Sequence, residues 1–279
     1  MEKKYEIILF GATGFTGQLC AKYFKQNYPD LTWAIAGRDK NKLDDINIKF
    51  NLNVDTLVAD GDNLEALRVM AGQAKVILST AGPFARYSDL LVQACVEQGT
   101  HYTDITGENH WVRTLIDKHH ENASLKGVRI VPSCGYDSIP SDIGTFFAVS
   151  QFNKPVKRVE LFQEMQGGAS GGTIETAFSM GKLSKEMRDP FLLNPENSST
   201  EEQRKFSKDT MRIEKIEELD GWSGMFVMAA GNTRVVRRTA ALMEQNQNSY
   251  GANFTFGEYG LHKTKKLARR ASYGLILGF

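Results

Sequence analysis

Two rhythms of apolar and polar positions run along the chain, and the change between them falls near residue 152. Up to Gln151, short apolar runs of strand length alternate with segments whose apolar residues recur at helical spacing. The runs at 5–10, 31–36, 55–59, 75–79, 101–104 and 128–132 predict strands. The intervening segments predict helices. One follows Gly17, with Leu19, Cys20, Tyr23 and Phe24 as its apolar stripe; others span 63–72, 89–98 and 110–125. On the helix at 89–98, Leu90, Leu91, Ala94 and Cys95 form the apolar side. Such β/α alternation predicts a mainly parallel sheet with helices on both faces. Ligands of these sheets bind beyond the carboxyl ends of the strands, where the strand order reverses.

After Phe152 the pattern changes. Residues 156–165 alternate like a strand with one polar face, and Gly167-Gly168-Ala169-Ser170-Gly171-Gly172 leads to Thr173, a helix N-cap for a helix to about Met187. That glycine loop is either a mobile anion-binding lid or a flexible connection. The polar stretch 188–209 reads as a loop; 222–227 and 250–256 predict strands separated by a helix at 233–244. The expected organisation is α/β. Residues 1–152 are expected to form a doubly wound, parallel-sheet domain, and 153–279 a second α+β domain for substrate or dimerisation.

The most informative string is Gly11-Ala12-Thr13-Gly14-Phe15-Thr16-Gly17, directly after the first strand. Gly11 allows the tight turn, Gly14 lets a pyrophosphate approach the backbone, and Gly17 lets the helix pack on the strand. Free N–H groups at the helix start make a site for a doubly negative group. The spacing GxxGxxG is a variant of the dinucleotide fingerprint. At the end of the second strand an NAD site would carry an acidic residue; here Gly37 is followed by Arg38, suited to a 2′-phosphate or to stacking on adenine. Asp39 starts the next helix. NADP is therefore expected in preference to NAD.

Other candidates also follow strand ends. Asp60 either reaches the adenine amino group or is a turn carboxylate. Thr80, Ala81, Gly82 and Pro83 are small enough to let backbone and hydroxyls approach the ribose, pyrophosphate or nicotinamide. Tyr102 or Tyr136 could donate a proton as hydride arrives. Asp104 and Asp137 read more simply as helix caps, and Cys134 as a small buried cysteine. The Tyr-xxx-Lys dyad of short-chain reductases is missing after Tyr87.

Bulk properties narrow the setting. With 279 residues, 41% hydrophobic and 24% charged, the chain has room for two cores. A net charge of +1 supplies no global field for nucleic acid. Cys20, Cys95 and Cys134 are odd in number and widely spaced, which fits a reducing compartment, and no Cys/His cluster suggests a metal. Met1-Glu2-Lys3-Lys4 runs straight into the first strand, with no signal peptide or membrane-spanning stretch, so a cytoplasmic setting is expected. The segment 262–279 joins Lys263, Lys265, Lys266, Arg269 and Arg270 to Leu275, Ile276, Leu277 and Phe279. It reads either as a peripheral contact with an anionic membrane or as a solvated helix leading into an apolar segment.

Taken together these strings resemble the saccharopine dehydrogenase-like oxidoreductases, in particular the branch of the trans-acting enoyl reductases. The likeness rests on Gly11 to Gly17, Ala36-Gly37-Arg38, Ser79-Thr80-Ala81-Gly82-Pro83-Phe84, the string from Gly99 to Glu108, the string from Pro132 to Asp142, and Ala169-Ser170-Gly171-Gly172-Thr173. It covers the chain to about residue 175. The resemblance implies a Rossmann domain, an α/β substrate domain and reduction with a nicotinamide cofactor. For the enoyl reductase branch the implied substrate is a carrier-bound or lipid-like unsaturated acyl chain. Two departures stand out. Arg86-Tyr87-Ser88 replaces a Tyr-Gly step, and the chain stops at Phe279, where the resemblance implies a further C-terminal portion that completes the core.

The expected function is thus that of an NAD(P)-dependent oxidoreductase. Its cofactor contacts would be Gly11, Thr13, Gly14, Phe15, Thr16, Gly17, Arg38, Asp60, Thr80, Ala81, Gly82 and Pro83, with Tyr136 as catalytic acid and a homodimer as one form. Two alternatives stay open. One is an amino acid imine oxidoreductase, for which Arg234, Arg237 and Arg238 are carboxylate-binding candidates or a plain helix surface. The other is a non-catalytic NADP-binding redox sensor.

Overall fold

A computed structural model describes residues 2–164, 186–207 and 212–278. The chain divides into two compact units, Met1–Gly135 and Tyr136–Phe279.

The first unit alternates strand and helix: β1 (Tyr5–Phe10), α1 (Phe15–Asn27), β2 (Trp33–Gly37), α2 (Lys40–Lys49), β3 (Asp55–Val58), α3 (Leu64–Gly72) and β4 (Ala74–Ser79). It continues with α4 (Phe84–Tyr87), α5 (Asp89–Gln98), β5 (His101–Asp104), α6 (Asn109–Leu125) and β6 (Ile130–Val131). The strands lie in the order β3-β2-β1-β4-β5-β6, and each neighbouring pair is parallel. This is the doubly wound, Rossmann-type sheet expected, with its strand order reversing beside β1. Leu9 and Ile35 sit under Ala21 and Phe24 of α1 and Leu43 and Ile46 of α2, in one core cluster. Phe24 meets Trp33 edge-on at 5.4 Å.

The buried face of α1 differs from the expected stripe. Gly17, Ala21 and Phe24 face the sheet, Cys20 is half-buried, and Leu19 and Tyr23 are exposed. A large side chain at the Gly17 or Ala21 position would hold the helix away from the sheet. The small residues therefore take the inner face and the larger ones turn out.

The second unit contains α7 (Ile139–Ser150), β7 (Arg158–Gln163), α8 (Glu201–Phe206), β8 (Lys215–Ile216), β9 (Gly221–Gly224), α9 (Ala229–Gln245), β10 (Thr255–His262) and α10 (Lys265–Gly278). Its sheet runs β7-β10-β9-β8, with β7 and β10 parallel and the other pairs antiparallel. Val236, Tyr250, Phe254 and Phe256 form its core. This is the second, mixed α+β layer anticipated.

Four details depart from the sequence reading. The division falls before α7 rather than at 152/153, because Ser141 on α7 donates to Glu258 of β10 at 2.8 Å and Thr239 of α9 donates to Asp142 at 2.9 Å. The last strand begins at Thr255: Tyr250 and Phe254 leave the ladder to pack edge-on at 5.1 Å. Strand β9 ends at Gly224, short of the expected 227. The polar stretch 188–209 contains α8, started by a capping box in which Thr200 and Gln203 bond each other's backbone. The glycine loop at 167–173 and the expected helix as far as 185 lie outside the described residues.

Candidate functional site

The end of β1 is built by sterics. Gly11 takes φ +85°, a conformation that side chains disfavour, and a Cβ there would lie 2.8 Å from the Ala81 amide nitrogen. A Cβ on Gly17 would lie 2.3 Å from the Gly11 carbonyl oxygen, so only glycine lets α1 run back along the turn. Gly14 is different: a Cβ there meets nothing nearer than 3.4 Å. It is the N-cap of α1, no side chain among the described residues caps the helix, and the first turn holds no acidic residue. The first-turn amides and the positive end of the dipole are thus left for an external anion. Thr13 and Thr16 flank the opening half-buried, and Phe15 stands exposed beside them. The Gln18 amide group donates to the Thr13 carbonyl at 3.0 Å, holding the loop.

At the end of β2 the two neighbouring charges part company. Asp39 caps α2, accepting from the Lys42 amide at 3.2 Å, with the Lys42 ammonium 3.7 Å from its other oxygen. Arg38 is exposed and makes no hydrogen bond or ion pair with the described residues. Beyond β3, Asp60 accepts from the Asp62 amide at 3.1 Å, the bond of a turn carboxylate.

Beyond β4, the Thr80 hydroxyl is 3.2 Å from the carbonyl oxygens of both Phe10 and Gly11, and the Gly82–Pro83 peptide is cis. Ala81 touches the Gly11 turn, as the close approach there requires. The segment 80–83 therefore forms one wall with the glycine loop.

Tyr102 does not line this opening. Only 1% of it is exposed, and its hydroxyl donates to Asp104 at 2.8 Å. Asp104 caps no helix; it accepts from the amides of Thr106 and Ser133, each at 2.9 Å. Burial pushes its carboxyl up to about 6, with those amides and the tyrosine hydroxyl opposing. Glu108, buried and given no role by sequence reasoning, bonds the amides of Phe84 and Ala85. Its only signal was its place in the polar string that ends β5.

In the second unit, Tyr136 is 88% exposed and makes no hydrogen bond with the described residues. The residues after it turn inward. Ser138 donates to Asn232 at 3.1 Å, and Glu258 accepts at one oxygen from Ser141, Gln163 and Asn232. The other oxygen of Glu258 is buried without a partner among the described residues. Burial raises the Glu258 carboxyl above its usual range, against those three donors, with the Asp137 charge adding to the rise. Burial raises Asp137 itself, and burial pushes Asp142 up to about 6 against its Thr239 bond. Cys134 is half-buried rather than buried, with its thiol near backbone carbonyls.

Of the three arginines of α9, two are buried and Arg238 is half-buried. Arg234 and Arg237 are 5% and 4% exposed, so they are not a helix surface. Arg234 donates to the Arg188 carbonyl, Arg237 to those of Pro190 and Phe256, and Arg238 to that of Leu193. They fasten the 188–193 segment to the helix.

An open helix N-terminus over a glycine turn, at the reversal point of a parallel sheet, marks a dinucleotide-binding α/β domain. The family model described as the saccharopine dehydrogenase NADP-binding domain matches residues 7–131. A trans-acting enoyl reductase of Mycobacterium ulcerans (strain Agy99) is 35% identical over 299 residues, covering 99% of this chain and 71% of that relative. A trans-acting enoyl reductase of Mycobacterium tuberculosis (strain ATCC 25618 / H37Rv) is 34% identical over 279 residues, covering 92% of this chain and 65% of the relative. The chain thus spans roughly two thirds of the length of these relatives. Apo saccharopine dehydrogenase (L-Glu forming) from Saccharomyces cerevisiae aligns at TM-score 0.47 and 14% identity, over 57% of this chain and 34% of that one. The chain belongs to the saccharopine dehydrogenase-like oxidoreductase family, in the branch of the trans-acting enoyl reductases.

Proposed function

We propose that this protein uses NADPH to reduce the carbon–carbon double bond of an unsaturated acyl substrate, a thioester or lipid-like ester. The observation that carries the coenzyme half is the uncapped start of α1 at Gly14, set beside an arginine whose neighbouring carboxylate is already engaged. The first-turn amides around 14–17 would hold the pyrophosphate, Arg38 the adenosine 2′-phosphate, and 80–83 the far ribose. The coenzyme, when bound, supplies a hydride. This chain's residues would orient it and deliver a proton, so that hydride to the β-carbon and proton to the α-carbon would together saturate the double bond. Tyr136, whose phenol is exposed, is the proposed proton donor. The names of the curated relatives support an enoyl substrate over an imine. So does the use of Arg234, Arg237 and Arg238 on backbone carbonyls.

The test is turnover. Purified protein with NADPH is offered enoyl thioesters, imines and ketones, and NADPH loss is followed by absorbance. Consumption with the enoyl thioesters alone supports the proposal. Binding of NADPH without turnover of any substrate favours the redox sensor, and turnover of imines favours the amino acid reading.

No helix among the described residues is long and apolar enough to cross a membrane. A cytoplasmic setting is part of the proposal. The exposure of Lys263, Lys265, Lys266, Arg269 and Arg270 supports a peripheral contact of this segment with anionic lipid. Cosedimentation with anionic and neutral vesicles separates that contact from a merely solvated helix.

A further inference from the structure

The segment that follows β4 is held from beneath by one carboxylate. Glu108 is 3% exposed; one of its oxygens accepts from the Phe84 amide and the other from the Ala85 amide, both at 2.9 Å. Its own amide donates to the Thr106 hydroxyl at 3.0 Å, and the Thr106 amide donates to Asp104 at 2.9 Å. A continuous line of bonds therefore runs from the end of β5 to the segment after β4. On its other side that segment leans on the glycine turn, through the Thr80 hydroxyl and the contact of Ala81 with Gly11. Phe84 adds a stacked contact with Trp111, ring centroids 6.3 Å apart.

A buried carboxylate is costly unless its oxygens are bonded, and here both are bonded to backbone. Such an acceptor fixes main chain rather than side chain, so it sets the position of the loop itself. The sheet order then says which part of a dinucleotide that loop would meet. Arg38 follows β2, on one side of β1, while β4 lies on the other. With the adenosine over β2, the nicotinamide half lies over β4.

We infer that Glu108 is a positioning residue: it fixes the 80–85 loop as the wall for the nicotinamide half of the coenzyme without touching the coenzyme. This rests on the coenzyme reading proposed above. A residue that merely supported the fold would affect every ligand of the first unit alike, whereas Glu108 should affect only a ligand that reaches beyond β1.

Calorimetric titration of the full chain with NADPH and with adenosine 2′,5′-bisphosphate separates these cases. Glu108→Ala should weaken NADPH by about tenfold or more, the loss of a charged acceptor to two amides, and leave the bisphosphate within about twofold of wild type. Glu108→Gln keeps the volume and one acceptor, so it should show the same selectivity at a smaller size; it carries the test alone should the alanine variant not fold. Equal weakening of both ligands, or of neither, overturns the role of Glu108. Failure of the wild-type chain to bind NADPH overturns the coenzyme reading instead.

Discussion

Arg38 and Asp39 are sequence neighbours at the end of β2, yet one is left outward and the other is used up. The Asp39 carboxylate satisfies the start of α2 and sits beside the Lys42 ammonium, so its negative charge is largely answered within the helix. That leaves the exposed guanidinium of Arg38 as the charge a 2′-phosphate would meet. An arginine–phosphate contact of this kind contributes about 1.5–3 kcal/mol. Arg38→Glu should therefore weaken NADPH by roughly 10- to 100-fold and change NADH little, read as dissociation constants from coenzyme fluorescence. A uniform loss for both coenzymes would remove the phosphate contact from Arg38. Asp60, by contrast, spends one oxygen on the turn after β3. Its proposed adenine contact would have to use the other.

At the level of elements, the turn from β1 into α1 separates two kinds of glycine. Gly17→Ala places a Cβ against the Gly11 carbonyl and the Ala12 Cα, so the helix must lift. The gain in helix propensity, about 1 kcal/mol at most, is smaller than an overpacking cost of about 1–3 kcal/mol. Thermal unfolding of Gly17→Ala should fall by several degrees. Gly14→Ala meets no close atom and should unfold near the wild-type temperature while losing NADPH affinity. If Gly14→Ala bound normally, the open N-terminus of α1 would not be the phosphate site. This distinction was legible in the sequence because a glycine turn between a buried strand and a helix has one steric solution. The same holds for most strands and helices of the first unit, whose apolar runs are buried on both faces of a parallel sheet. Less was legible where long-range contacts decide. Strand β10 was misplaced because Gly257 and Gly260 interrupt its alternation and two aromatic residues ahead of it belong to the core. Glu108 and Arg237 were not legible either: their partners are backbone groups far along the chain, which leave no spacing to read.

Across the whole molecule, the buried carboxylates set an unusual dependence on pH. Burial is the first cause of the raised values at Asp104, Asp137, Asp142 and Glu258. Carboxylates held below their usual range also exist, such as Glu97 beside Arg68 at about 2 and Asp55 beside Lys4. Those pairs are exposed enough for solvent to screen them, so they count for little. A carboxyl whose folded value is raised binds more protons in the folded chain than in the unfolded one. The stability of its neutral form is present at low pH and is lost as pH rises through the folded value. For Asp142 that window runs from the ordinary carboxylate value of 3.8 to about 6. One of its oxygens accepts from Thr239 and the other is buried without a partner among the described residues, so an asparagine can keep the first bond and carries no charge to desolvate. Tyr250, whose own hydroxyl is raised to about 12 by burial and then by the Asp142 charge, is the titratable neighbour and stays neutral through this range. Asp142→Asn should therefore gain on wild type as pH rises, by about 2 kcal/mol between pH ~4 and pH ~8 in urea unfolding. A difference between the two proteins that did not change with pH would mean that Asp142 titrates as it does in the unfolded chain, and that its burial costs nothing.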